Sequence, residues 1–343
     1  MDLKSHFTPG ERFSYSGEGY VYLSKVVEKI TGESLETFMQ SAVFVPLGMK
    51  DSSLVWQRSF EGCVAAGHDG SGRPLPVTQG KDANAAASLM TTAGDFARFM
   101  AAAADCVGLK AGTKALMFKP HTRVKFMCGE CLGPERKPYE GELSWALGWG
   151  VDRNGGREDY FQWGDNGSYK AFVVVSQKRR DGVILFMNSM SGLSIVDDLV
   201  KELLGRPTSA MAWLRYERHD SPRRTLMKAI SSGGLTDAQR IAVGKLDAPD
   251  RLALAGDLRE RGLMKESLEI GAKAVADAPS SLGHFRLADA YLVAGQMTEA
   301  ARHYQEAVKL GPENKYAAEM AEMIWSGKIA RPRWKRQISP EGT

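Results

Sequence analysis

Cysteine is scarce in this sequence: four among 343 residues, too few for a disulfide scaffold in a chain of this length. No apolar run approaches the ~18 residues of a membrane-spanning helix. Neither charge dominates, because 45 Lys+Arg against 41 Asp+Glu leave a net +4. That balance excludes a strongly basic nucleic-acid binder and argues against long disordered blocks. A Gly-rich phosphate loop is missing. Residues 1–14, MDLKSHFTPGERFS, lack the charged stretch and following apolar run of a signal peptide. What is present, 43% hydrophobic and 25% charged residues, is the composition of a soluble globular chain. At this length two domains are expected rather than one.

Apolar residues at Tyr20, Leu23, Val26, Val27 and Ile30 have helical spacing, with Gly32 placed as a C-terminal cap. Ser34 opens a second helix through Met39, ahead of Pro46-Leu47-Gly48-Met49. A third helix is expected over Ala83–Ala103, with Thr92 as N-cap and Asp95 close to a capping box. From Ser144 the period changes to two. SWALGWGV, DYFQWG, YKAFVVVSQ and GVILFMNS read as four strands, with turns at Asn154-Gly155 and Asp181-Gly182. Such short connections make an antiparallel meander. A helix over Ile195–Leu204 stops at Gly205-Arg206-Pro207. The expected class is mixed α/β (α+β), an antiparallel sheet flanked by helices.

After residue 207 no strand is expected, and the chain becomes self-similar. Gly262 lies over Gly295, Met264 over Met297, Glu266 over Glu299, Ala274 over Ala307, Val275 over Val308 and Pro279 over Pro312. This resembles the tetratricopeptide repeat, a helix pair with a period of about 34 residues. Leu287, Ala288, Tyr291, Ala300, Tyr304, Ala307 and Pro312 occupy its signature positions. The second copy matches well; the first is degenerate, with Gly271 where an aromatic would pack. The organisation expected is a first domain over 1–206, a helical linker over 207–250, helical repeats over 251–325 and a basic tail over 326–343. The repeats offer a surface for a protein or peptide partner; the tail reads as a solvated end.

The stretch from Pro9 to Ser53, PGERFSYSGEGYVYLSKVVEKITGESLETFMQSAVFVPLGMKDSS, resembles serine β-lactamases of the class C type and their penicillin-binding-protein and esterase relatives. There a Tyr-x-Asn motif precedes such a helix, and a Pro-Leu-Gly-Met turn closes the segment. The helix near Met100 and the meander extend the resemblance to about residue 205. It implies acyl transfer through a Ser nucleophile assisted by a Lys three residues on. A Tyr passes the proton to the leaving group, and its phenol needs nearby cations to do so. A third motif, Lys-Thr-Gly or His-x-Gly on a strand, provides a cation, and the following N–H joins an oxyanion hole.

Carried over, Tyr15 takes the general-base position, Ser16 the variable one, and Gly17 replaces the Asn. Gln162-Trp163-Gly164 aligns with the third motif, with Gln162 in place of Lys or His. The N–H of Asp165 becomes the oxyanion-hole candidate, and Asp165 with Asn166 serves substrate contact or closes a tight turn. Ser-x-x-Lys is missing. Thr stands three places before Lys at Thr78-Lys81, Thr122-Lys125 and Thr225-Lys228, all after Tyr15, whereas the family places its nucleophile well before it. The strand pair and nucleophile-bearing helix expected ahead of Tyr15 have only residues 1–14 to form from. The expectation is therefore an N-terminally truncated hydrolase, inactive as this chain. The alternative is a pseudoenzyme or scaffold that binds a peptide or cell-wall-like ligand. Substrates implied by the resemblance are a β-lactam, a short ester or a D-amino-acid peptide, with efficient β-lactam turnover disfavoured by Gln162. Relatives are commonly exported, which suggests a periplasmic or secreted location.

Cys128 and Cys131 have metal-ligand spacing, and Cys63, His68 and His121 could complete a set. A disulfide or surface thiols is the preferred reading, and neither a metal nor a cofactor is expected. His284 and His303 fall inside repeat helices. Met90, Met100 and Met117 are expected in the core, and Gly148 and Gly150 within a strand.

Overall fold

The computed structural model describes residues 7–128 and 137–328. The chain divides into two compact units, one running to Arg218 and the other beginning at His219.

The first unit opens with helix α1 (Gly17–Thr31), capped by the side chain of Ser16 at its start and closed by Gly32 at φ 74°. It therefore begins earlier than the apolar spacing suggests, because the cap lies ahead of the first apolar residue. Helix α2 (Leu35–Met39) starts on Ser34, as the sequence indicates, and runs into a wider turn over Gln40–Phe44. The third helix is shorter than expected. Helix α3 spans Ala93–Asp105, while Ala83–Met90 forms turns. The alanine run favours helix, but the Asn84 side chain accepts from the Ala86 N–H (2.8 Å), and Ser88 Oγ accepts from the Asn84 N–H (2.8 Å). Such local bonds compete with the helical ladder.

Thr92 caps α3 by accepting from the Asp95 N–H at 3.1 Å. The return half of a capping box does not form. The buried Asp95 carboxylate instead accepts from the Asp51 N–H (2.7 Å) and Ser52 Oγ (3.0 Å) and pairs with Arg98 (2.8 Å).

Helix α4 (Ala111–Phe118) leads into a six-stranded antiparallel meander: β1 (Thr122–Arg123), β2 (Leu143–Trp145), β3 (Gly150–Asp152), β4 (Asp159–Asn166), β5 (Tyr169–Ser176) and β6 (Asp181–Met187). The stretch expected as one strand over 144–151 is two, β2 and β3. Gly148 reverses the chain between them at φ 84°, so it is a turn residue. Gly150 does sit in a strand, beneath the Phe161 ring; a Cβ there would meet ring carbons at 2.3 Å. The Asp181-Gly182 turn is also displaced. The chain reverses over Gln177–Arg180, with Arg180 at φ 58°, and Asp181 opens β6 opposite Ser176.

Alternation along the strands loads both faces of the sheet. Phe161, Phe172 and Val174 pack with Leu193 of the short turn Gly192–Ile195, with Val196 and Val200 of helix α5 (Val196–Leu204) and with Trp213 of helix α6 (Ala210–Leu214). Tyr160, Val151, Val173 and Val175 pack with Met100, Ala103, Cys106 and Phe118 from the α3–α4 side. Each large side chain buried this way contributes about 1.5–3 kcal/mol. Met100 is buried as expected, while Met90 and Met117 are half-buried. At the foot of the sheet the buried Arg206 guanidinium joins Asp159 to Asp181.

The regular elements described in the second unit are all helices: α7 (Pro222–Gly233), α8 (Asp237–Gly244), α9 (Ala248–Glu260), α10 (Met264–Asp277), α11 (Ser281–Val293), α12 (Met297–Leu310) and α13 (Lys315–Trp325). Helices α7 and α8 bury Met227, Ile230 and Val243 against Leu254 and Leu258 of α9. Tyr304, Ala300 and Ala307 of α12 pack on Ala288 and Leu292 of α11 and on Ala317 of α13. No described helix is long and apolar enough to cross a membrane. Residues 329–343 of the basic tail lie outside the described residues, as does Cys131.

Candidate active site

An aromatic ladder sets the position of Tyr15. In the extended segment before α1, Phe13 stacks on Trp145 with centroids 4.0 Å apart, and Tyr15 lies 5.4 Å from Trp163. Residues two apart along an extended chain share a face, so both rings land on the β2–β4 surface. Trp163 is held edge-on by Trp145 (6.0 Å) and Trp213 (5.2 Å). Tyr15 itself is 56% exposed, and among the described residues its hydroxyl has no hydrogen-bond partner. Ser16, the next residue, is spent on structure: its Oγ accepts from the Gly19 N–H at 2.9 Å. At Gly17 a Cβ would meet only Ala86 Cβ, at 3.8 Å.

Strand β3 pairs with β4 only as far as Gly150↔Phe161, while β5 pairs with β4 through Asn166↔Tyr169. Among the described residues the stretch Gln162–Asn166 thus has a strand partner on one side alone. Gln162 folds along this edge. Its Nε2 donates to the Gly148 carbonyl (3.0 Å), and its Oε1 accepts from the Trp163 N–H (3.0 Å). Both halves of the amide are engaged, and neither carries charge. At the far end Asn166 Nδ2 donates to the Ala87 carbonyl at 2.9 Å, which ties β4 to the 84–88 turn. Tyr15, Gly17, Gln162, Trp163, Gly164 and Asn166 thus line one rim, with Gly148 and the Ala86–Ala87 turn.

The Asp165 side chain is engaged with the protein itself. One oxygen accepts from the Gly167 N–H (3.1 Å) and pairs with the buried Lys170, and the other accepts from Tyr216 Oη (2.7 Å). Burial raises this carboxyl, but the bonds from Lys170 and Tyr216 outweigh it and hold its pKa below the usual range. In return, burial first and then Asp165 push the Tyr216 phenol upward. The bond from Gly167, a residue at φ 64°, closes the turn after β4, one of the two roles open from sequence.

Tyr20, which the sequence marks only as an apolar position of the helix, stands near this rim. Its hydroxyl lies 4.0 Å from where a Gly148 Cβ would be, and burial followed by the charge of Tyr15 raises its pKa. Tyr216 carries no sequence signal, since only the fold brings it beneath Asp165. Among the described residues no group of three or more His, Cys, Asp or Glu side chains could hold a metal ion.

Among the described residues one surface beside this rim is bare. Of the residues of α1 only Ser24 is buried, while Tyr22, Leu23 and Ile30 are exposed, Ile30 at 78%. Strand β6 likewise has a strand partner only in β5 among the described residues.

The sequence profile of the β-lactamase family matches residues 2–209, and a tetratricopeptide-repeat profile matches residues 281–314. The chain belongs to the β-lactamase family. It is 26% identical over 210 residues to penicillin-binding protein 4 of Amycolatopsis lactamdurans, covering 60% of this chain and 54% of that protein. A shorter match, 36% over 56 residues, is to penicillin-binding protein 4* of Bacillus subtilis, covering 16% of this chain and 12% of that protein. Among solved structures, the octameric penicillin-binding protein homologue from Pyrococcus abyssi is similar at 22% identity and TM-score 0.47, over 65% of this chain and 48% of its own. A β-lactamase/D-alanine carboxypeptidase from Pseudomonas syringae is similar at 15% identity and TM-score 0.47, over 60% and 62%. The chain spans about half the length of the first of these curated relatives.

Proposed function

We propose that the first unit is the larger part of a serine hydrolase domain that works by acyl transfer, and that the 343-residue chain alone does not turn over substrate. The apolar face of α1 next to Tyr15, bare among the described residues, carries this reading; the edge of β6, which pairs only with β5 among them, is a second support. Both are places where a sheet-and-helix fold of this family would be covered by the strand pair and the helix bearing Ser-x-x-Lys. In the assembled site Tyr15 would move the proton between the Ser and the leaving group. The Asp165 N–H, on the half-paired stretch of β4, would join the oxyanion hole. Gly164 would admit the acyl group, and Gln162 and Asn166 would border it.

A neutral Gln162 supplies no cation to favour the Tyr15 phenolate. The substrate class is therefore an unstrained acyl compound, a short ester or a D-amino-acid peptide, ahead of a β-lactam. The second reading is a binding protein that uses the same rim or the helical repeats for a peptide. Its support is the pair of departures Gly17 and Gln162 together with the tetratricopeptide match.

A serine-reactive fluorophosphonate distinguishes the two. The 343-residue chain is expected to stay unlabelled. A version extended by the coding sequence upstream of Met1, if that frame contains Ser-x-x-Lys, is expected to label and to lose ester hydrolysis on Tyr15→Phe. Labelling of the short chain, competed by active-site inhibitors, would overturn the proposal. A stop codon directly upstream of Met1 would favour the binding protein.

A further inference from the structure

In the second unit the two copies of the repeat differ at two facing positions. Tyr304 of α12 is fully buried, and its hydroxyl donates to the Asp289 carboxylate on α11. The preceding copy has Gly271 of α10 in place of the tyrosine and Gly256 of α9 in place of the aspartate. Both glycines line a cavity of about 290 Å³ between their helices and α11. Its apolar walls come from Leu252, Ala255, Leu287 and Ala290. The cavity opens to solvent, and its volume lies near the lower end of ligand pockets, ~300–1,000 Å³.

Close helix packing accounts for one glycine only. A Cβ at Gly271 would stand 3.3 Å from Leu287 Cδ1 and 3.6 Å from Ala255 Cβ, whereas at Gly256 it would meet nothing within 4 Å. A mid-helix glycine costs about 1 kcal/mol relative to alanine. At Gly256 no neighbour requires that cost, and what the glycine provides is open space.

The rim is charged. Arg223 is bonded to Asp257, and Arg259, Glu260 and Arg286 complete the rim. Arg251, buried on α9, and Arg302 of α12 are paired with Asp277 and Glu299. Among the described residues Arg259 and Arg286 have no carboxylate within ion-pair distance. Guanidinium groups favour carboxylates through paired N–H donors and also stack on aromatic faces.

We propose that this cavity receives an aromatic side chain of a partner peptide with a carboxylate at the adjacent residue. The ring fills the space left by the missing tyrosine, and the carboxylate lies against Arg259 and Arg286. The inference is independent of the hydrolase reading, since it involves the second unit alone.

The test is an NMR titration of the full chain with N-acetyl-Gly-Tyr-Asp-Gly-amide. Saturable shifts are expected at Gly256, Gly271 and Ala290, and peptides with Ala for Tyr or Asn for Asp should bind at least tenfold more weakly. R286E, a change at an exposed position, should weaken binding by a similar factor without altering the spectrum elsewhere. The double variant G256D/G271Y, which restores the buried pair of the later copy, should abolish binding and raise the thermal midpoint. If that variant does not fold, G256L, which projects into the open space, makes the same test alone. Unsaturable shifts, or binding unchanged in the filled variants, would overturn the proposal.

Discussion

Replacing Arg206 by methionine removes the one side chain that joins Asp159 to Asp181. The guanidinium is 3% exposed and uses all its nitrogens: Nε to Asp159 at 3.0 Å, Nη1 to Asp181 at 2.9 Å, and Nη2 to Asp159 at 3.3 Å and Asp181 at 2.5 Å. Methionine keeps most of the volume, so the cost is electrostatic. Two carboxylates are left facing each other, and Asp159 is only 10% exposed. Stripping one partner from a buried pair costs about 3–5 kcal/mol, a large fraction of a typical ~5–15 kcal/mol domain stability. With a urea slope of ~2–3 kcal/mol/M, the midpoint should fall by roughly 1–2.5 M. Tryptophan emission is a suitable signal, because Trp56, Trp145, Trp149, Trp163 and Trp213 all lie in the first unit. The sign with pH is also fixed. Hydrogen bonding to Arg206 holds Asp181 below its ordinary pKa, so its share is full above the unfolded value, ~3.9, and is lost as the pH falls below it. The gap between wild type and R206M should therefore narrow in acid. Adding Asp159→Asn and Asp181→Asn to R206M should restore at least half of the loss, since no buried charge then lacks a partner. A midpoint change within error, or no recovery in the triple variant, would refute the reasoning.

Three further outcomes follow from local geometry. Ser16→Ala should cost about 1 kcal/mol by removing the cap of α1, read as a lower urea midpoint with unchanged slope; Ser16→Gly should cost only a few tenths. Gly150→Ala should cost about 1–3 kcal/mol by overpacking, because its Cβ would enter the Phe161 ring, and Phe161→Leu should recover part of it. In the second unit, burial, then Arg302 and His284, push the His303 imidazole down to about 4. A histidine lowered in this way stabilises fully above its unfolded value near 6.5 and ceases to do so as the pH falls through about 4. Thermal melts between pH 7 and 4 should show that loss in wild type and a flatter profile in His303→Gln.

The parts of this fold written in local chemistry were legible. Ser34, Thr92, Gly32 and Gly205 end or begin helices where their side chains or conformational freedom place them. The meander follows from alternation in the segments from Ser144 onward. What failed depended on partners distant in sequence. Asp181-Gly182 has the composition of a turn, yet Arg206 draws Asp181 into a strand end. Asp95 has the spacing of a capping-box residue, yet the Asp51 N–H takes its carboxylate. The site rim was legible as residue types at motif spacing, because Tyr15 and Gln162-Trp163-Gly164 lie within segments that resemble the family. The fate of each side chain was not. Ser16 turned out to cap a helix, and Gln162 folds onto Gly148, a residue whose turn conformation alternation alone could not show.

The uncovered side of α1 has a consequence for the life of the chain in a cell. Leu23, Tyr22 and Ile30 present the kind of surface that chaperones hold and proteases survey, and a folded protein displaying it is continuously triaged. On the proposed reading, in which a further segment covers that face, the steady-state level of the chain would report how often the face is covered.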